Sequence, residues 1–375
     1  ARLKYRHLGV RSEEGRLTGI VTTRDLLRLR SSPAIALDDA IEQAATADDM
    51  KIAWAALPAV VDALIAEELD ARIVCRIVSE EIRAMTRRAA ILAEQSMAAE
   101  GLGAPPVPYA VMVLGSGGRG ESMLVPDQDN AIVFASGEPD GREDRWFAEL
   151  GLRMTDTLDR SGIPLCKGGV MARNGEWRGS ADHWRARVDG WVSRSRPEDL
   201  LNVDIFFDAM PVHGDHALAH DLFAFAYERG HRSVTFAKLL GEKLATMPNP
   251  FSMFGALTAP GNRLDLKLHA LFPIAACARV LAIRHNIAER STRDRLGAIA
   301  ARGIGPQGDI DNLLDAHRFC LGLVLETQSR DIASGIAATN LVDLSALDRG
   351  RKAGLKQALS DVRVIPDLIR GLMFA

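Results

Sequence analysis

The chain has 375 residues, 47% hydrophobic and 25% charged, with a net charge of −3. That is apolar material enough for two or three domains, and the near-balanced charge excludes a general pull toward nucleic acid or an anionic membrane, so any affinity for phosphate has to be local. Cys75, Cys166, Cys277 and Cys320 lack Cys-x-x-Cys spacing, which argues against a disulfide or zinc framework; with no apolar run near the roughly twenty residues of a membrane span and no leader, a cytoplasmic protein is expected.

In chain order, residues 1–30 form a first segment, opening on Ala1 as if cut from something larger, with two short strands around Glu13-Glu14-Gly15 and a helix from Arg24. Ser31, Ser32 and Pro33 make a linker. Residues 34–100 read as helices, with one stripe at Leu57, Val60, Val61, Leu64 and Ile65 and another through Leu69, Ile73, Val74, Ile77, Ile82 and Met85. Arg72, Arg76, Arg83, Arg87 and Arg88 alternate there with Glu67, Glu68, Glu80, Glu81 and Glu94, the pattern of a solvated, salt-laced face.

The third region, 101–230, carries the chemistry. Pro105, Pro106 and Pro108 lead into Tyr109–Leu114, a β-branched run that predicts a buried strand. Gly115-Ser116-Gly117-Gly118-Arg119-Gly120 then predicts a turn whose bare backbone approaches a phosphate, with Ser116 and Arg119 adding donors. The same letters satisfy G-x-G-x-x-G, but a dinucleotide site needs a full crossover helix after the glycines, and here only Glu121–Val125 precede Pro126. No Gly-Lys-Ser/Thr follows, which rules out a Walker A loop. Asp127 and Asp129 head the next strand, which runs to Phe134; two apart, they project from one face and suit a pair of hard cations.

A polar loop at 136–144, a helix at 145–160, a Gly/Trp/Arg-rich stretch at 162–180 and a helix at 181–194 come next. Val203–Asp208 alternates strictly and predicts a strand that carries a third carboxylate toward the metals; Asp208, at its exit, is chosen over Asp204, since about 13 Å separates the two along a strand. His213, His216 and His220 are read as structural. Residues 231–375 read as a helical bundle with segments at 236–245, 264–285, 292–301, 310–329 and 348–373.

Gly115-Ser116, Gly118-Arg119-x-Glu121, Asp127-Gln128-Asp129-Asn130, Cys166-Lys167-Gly168-Gly169-Val170-Met171, Glu176-Trp177-Arg178-Gly179-Ser180, Ile205-Phe206-Phe207-Asp208 and Asp265-Leu266-Lys267 together resemble a nucleotidyltransferase family related to the PII-protein uridylyltransferase, in the DNA polymerase β-like superfamily. The closest likeness is to the subgroup carrying CBS modules, and Gly19–Asp25 resembles the closing strand and helix of such a module. The resemblance implies an α/β core with a mixed sheet, flanked by N-terminal helices and a C-terminal helical substrate-binding domain. It implies transfer of an NMP from ATP or UTP to an acceptor hydroxyl, protein or small molecule, with pyrophosphate released and CBS modules regulating. Asp127, Asp129 and Asp208 are then the catalytic residues and the ligands of Mg2+ or Mn2+. Gly115, Ser116, Gly117, Gly118 and Arg119 hold phosphates, and Gly168, Gly169, Met171, Trp177 and Arg178 stand beside the nucleotide. The expected partners are an NTP, the acceptor and a second copy of the chain, with no nucleic acid or membrane. The competing class is a non-catalytic nucleotide sensor in signal transduction, against which the intact carboxylate pair argues.

Overall fold

The short apolar runs meet in one four-stranded sheet with helices on both sides. The computed structural model describes residues 7–11, 17–22, 32–194, 199–245, 250–251, 257 and 259–373. β1 (His7–Arg11) and β2 (Leu17–Thr22) pair antiparallel; the helix expected from Arg24 lies outside the described residues. Four helices follow: α1 (Ser32–Gln43), α2 (Ala47–Ala55), α3 (Leu57–Ala66) and α4 (Ala71–Ala99). Thr46 caps α2 reciprocally, its hydroxyl accepting from the Asp49 amide while the Asp49 carboxylate accepts from the Thr46 amide. Asp70 starts α4 by accepting from the Arg72 amide. With 29 residues, α4 is about 44 Å long, and it buries the stripe Val74, Val78, Ile82, Met85, Ala89 and Ala93.

β3 (Tyr109–Val113), β4 (Asn130–Phe134), β5 (Arg178–Ser180) and β6 (Met210–Gly214) form the sheet in the order β5-β4-β3-β6. β3 is antiparallel to both neighbours, and β5 is parallel to β4. All residues of β3 and β4 are buried, each large apolar side chain contributing about 1.5–3 kcal/mol by leaving water. Val113 pairs with Asn130 on one side and Met210 on the other. That register brings the turn after β3, the aspartates before β4 and Asp208 before β6 to one end of the sheet.

The turn after β3 is itself a short helix, α5 (Gly115–Arg119). α6 (Arg142–Arg160), α7 (Ala181–Arg194), α8 (Asp199–Phe206) and α9 (His216–Arg232) cover the sheet. Phe134 stacks on Phe147 at 4.6 Å between ring centres, and Trp184 on Phe206 at 5.1 Å. The strand expected over Val203–Asp208 is therefore helix α8 and the turn after it. Val203, Asp204, Phe206, Phe207 and Asp208 are all buried, and an element buried on every side has no solvent face for a short alternation to report.

The C-terminal region is helical: α10 (Val234–Ala245), α11 (Phe272–Arg284), α12 (Thr292–Ala301), α13 (Gln307–Ala333), α14 (Arg349–Val362) and α15 (Ile365–Met373). The single helix expected over 264–285 is three elements. β7 (Arg263–Asp265) pairs antiparallel with β8 (Leu341–Asp343), a π-helical turn spans Lys267–Leu271, and α11 starts with Pro273 in its first turn, where a missing N–H costs nothing. No helix among the described residues is long and apolar enough to cross a membrane.

Candidate active site

The glycines of α5 are fixed by the protein's own packing. Gly115 has φ +54, and a Cβ there would sit 2.7 Å from an Asp129 carboxylate oxygen, so only glycine fits. A Cβ on Gly117 would lie 2.6 Å from the Val113 side chain, and one on Gly118 2.0 Å from the Asp208 carbonyl oxygen. Gly120, at φ +77, ends the helix in the left-handed conformation. Arg83 of α4, 8% exposed, donates to the Gly117 and Gly118 carbonyls at 2.9 Å each. It is no part of a solvated charged face, the place its sequence context gave it. On the other side Gln328 of α13 accepts from the Leu124 amide at 2.9 Å.

Asp127 and Asp129 stand just ahead of β4, Asp127 exposed and Asp129 half-buried. A ligand atom from each, with the Cys166 sulfur, lies within 4.8 Å of the other two. The Cys166 loop is stitched to both flanks of the pair: the Gln128 amide donates to Pro164 O at 3.0 Å and the Asn130 amide to Val170 O at 3.1 Å. Burial and the Asp127 charge push the Asp129 carboxyl up to about 7, against the opposing pull of Cys166, Lys267 and Arg119. Two carboxylates crowded this way are what a divalent cation relieves, and the donor set fits one.

Asp208 is elsewhere. Its fully buried carboxylate accepts from Arg279 at 2.8 and 3.2 Å, from Arg295 at 2.7 Å and from Arg119. Arg279 also reaches Asp204 at 2.8 Å, as two carboxylates one helical turn apart allow. Arg119 continues to Glu121 at 2.8 Å, and Glu121 accepts from the Thr292 amide and hydroxyl at 2.6 and 3.0 Å. Three arginines thus face Asp204, Asp208 and Glu121, joining α5 and the end of α8 to α11 and α12. Burial raises the Asp208 pKa, but Arg279, Arg119 and Arg295 outweigh it and hold the carboxyl well below the usual range.

A cleft opens between the two halves, lined on one side by Ser116, Arg119 and Asp127 and on the other by Lys267, Phe272, His317 and Asn340. Asp265 accepts from the Leu268 amide at 3.0 Å and so caps the π-helical turn that presents Lys267.

Residues 55–198 match the family model described as "Putative nucleotidyltransferase DUF294", and residues 235–371 the one described as "Putative nucleotidyltransferase substrate binding domain". The chain belongs to a nucleotidyltransferase family. No curated protein matches it.

Of the residues expected to serve the nucleotidyltransferase, Asp127 and Asp129 come together, and Gly115, Ser116, Gly117, Gly118 and Arg119 form the adjoining helix. Gly117 and Gly118 are turned to Val113 and Asp208, so their bareness answers to packing. Gly168 flanks the Cys166 sulfur, and Gly169 has φ +73. Three of the expected residues are buried in contacts of their own. Asp208 is closed in by guanidinium groups and is not among the ligand atoms gathered at Asp127 and Asp129. Arg178 is buried, bonded to Asp144 at 2.7 Å and to Ala172 O at 2.9 Å. Trp177, 2% exposed, packs in the core with Trp184. The sequence reading missed Cys166 as a partner of the pair, and also Arg279 and His317. Arg279 had a signal, a lone charge inside the apolar run Ile274–Ile283; His317 had none.

Proposed function

We propose that this nucleotidyltransferase moves an NMP from ATP or UTP to an acceptor hydroxyl, on a protein or a small molecule, with release of pyrophosphate. The observation that carries the reading is the Asp127–Asp129 pair, whose Asp127 lines a cleft with Ser116 on the same wall and Lys267 opposite. Asp127 and Asp129 would hold Mg2+ or Mn2+, and the chemistry such a cation would supply is polarisation of the α-phosphate and stabilisation of the leaving pyrophosphate. The Ser116 hydroxyl donates to a phosphate oxygen, and the Lys267 ammonium balances the charge of the triphosphate from across the cleft. Arg119 carries its charge at the cleft floor while Asp208 and Glu121 fix its direction. The half-helical wall from Lys267 to Asn340 shapes the acceptor side. Regulation through CBS modules is proposed on the likeness of Gly19–Asp25 alone.

Pyrophosphate release and the intact mass of acceptors, measured with each NTP and Mg2+ or Mn2+, test the reading. Asp127→Asn and Asp129→Asn each remove a cation ligand and should lower release by several orders of magnitude with the fold intact. Wild-type protein that binds NTP yet releases no pyrophosphate across a broad acceptor set would make the chain a nucleotide sensor instead.

A further inference from the structure

We infer that Cys166 is a third ligand of the cation site, and that the site consequently binds thiophilic divalent ions such as Zn2+ and Co2+ more tightly than Mg2+. The inference takes from the transfer reading only that a cation binds at Asp127 and Asp129; everything about the sulfur comes from the loop.

The Cys166 sulfur and the two carboxylates already sit within 4.8 Å of one another; metal–oxygen bonds near 2.0–2.2 Å and a metal–sulfur bond near 2.3 Å hold the ligand atoms of one ion no more than about 4.5 Å apart, so a modest rotation of these side chains closes the set on an ion. The loop is held there by buried polar side chains. Gln128, 3% exposed, donates from Nε2 to Ile163 O at 2.9 Å, and Asn130, 1% exposed, accepts from the Ala172 amide at 2.9 Å. These contacts pin both ends of residues 163–172, so the sulfur's place depends on the same backbone that places the aspartates. The amides of Gly168 and Val170 face the sulfur, the outer-shell arrangement that steadies a metal-bound thiolate. A Cβ added at Gly168 would lie in ordinary contact with it, at 3.6 Å. An independent feature points to a ligand at the same place: Gln128 Oε1 and Asn130 Nδ2, both on buried side chains, have no hydrogen-bond partner and line a pocket together with Ser116, Asp127 and Asp129. The other three cysteines are buried within helices.

Carboxylates alone suit Mg2+ and Mn2+, whereas a thiolate adds affinity for softer ions. On binding, the S–H proton leaves to solvent as the sulfur–metal bond forms, and the aspartates contribute the remaining protein ligands.

The purified full chain, titrated with Co2+ and followed by absorption, reads this directly, because sulfur bound to Co2+ gives a near-ultraviolet charge-transfer band that oxygen ligands do not. Wild-type protein should develop the band with one equivalent of Co2+ and lose it to Zn2+ far sooner than to Mg2+. Cys166→Ser should show no band and bind Co2+ on the order of tenfold or more weakly, while Cys166→Asp should restore binding without the band and narrow the gap between Zn2+ and Mg2+. If the wild type binds Co2+ without the band and Cys166→Ser binds it equally well, the sulfur is no ligand and the inference falls while the cation and transfer reading stand. If the wild type binds neither Co2+ nor Mn2+, both fall together.

Discussion

Replacing Asp208 by Asn separates a structural carboxylate from a catalytic one. The substitution keeps the shape and removes one negative charge from a buried set of three arginines and three carboxylates, so a balanced cluster becomes one with an excess positive charge and nowhere to hydrate it. Breaking a buried pair typically costs about 3–5 kcal/mol, and at about 2 °C or more per kcal/mol the melting temperature should fall by about 6 °C or more. The loss depends on pH in a fixed sense. The folded-state pKa of Asp208 lies below its unfolded value of about 3.9, so its contribution is complete above that value and is lost as pH falls through the folded one. The gap between wild type and variant should hold steady from about pH 5 to 8 and narrow in stronger acid. Thermal melts across pH, with Mn2+ binding followed alongside, provide the assay. Pairing Asp208→Leu with Arg295→Met removes both signs together and should recover part of the stability that Asp208→Leu loses. An unchanged melt with abolished Mn2+ binding would return Asp208 to the metal site and refute the argument.

The glycines of α5 make a second contrast. Gly118→Ala drives a Cβ to 2.0 Å from a backbone oxygen and should cost about 1–3 kcal/mol or more, whereas Gly303→Ala, at φ +67 with nothing within 4 Å, should cost only its backbone strain of about 1–2 kcal/mol; equal melts for the two would show that the packing is not tight. Because Asp129 holds its proton up to about pH 7, Mn2+ affinity should rise as pH climbs toward 7 and level off above it. Calorimetry showing the same affinity at about pH 6 and pH 8 would count against that assignment.

How much of this was legible in the sequence depends on what each segment hides. The strand–glycine–carboxylate order at 109–134 was legible because prolines, glycines and a β-branched run change character within a few residues, and the mixed α/β class followed from it. The glycine spacing did not say what the glycines make room for: Gly117 and Gly118 approach Val113 and Asp208 instead of open space. The 203–208 segment failed because its buried residues surround it, leaving Asp204 and Asp208 to be placed on the geometry of a strand. Arg119, Arg279 and Arg295 come together from positions as far apart as 119 and 295, a meeting that no local pattern encodes.

The chain that runs from Glu121 through Arg119, Asp208 and Arg279 to Asp204, with Thr292 and Arg295 attached, crosses the seam between the two family-matched segments. Relatives that differ in acceptor would be expected to exchange their C-terminal halves, as modules, only if these lock-and-key charges travel as a set. A chimaera that imports a new helical half lacking Arg279 and Arg295 would leave the buried Asp208 with Arg119 alone of its three arginines. Such a protein should fail in folding before any question of specificity arises, and a transplant that carries both arginines and Thr292 is the one to build.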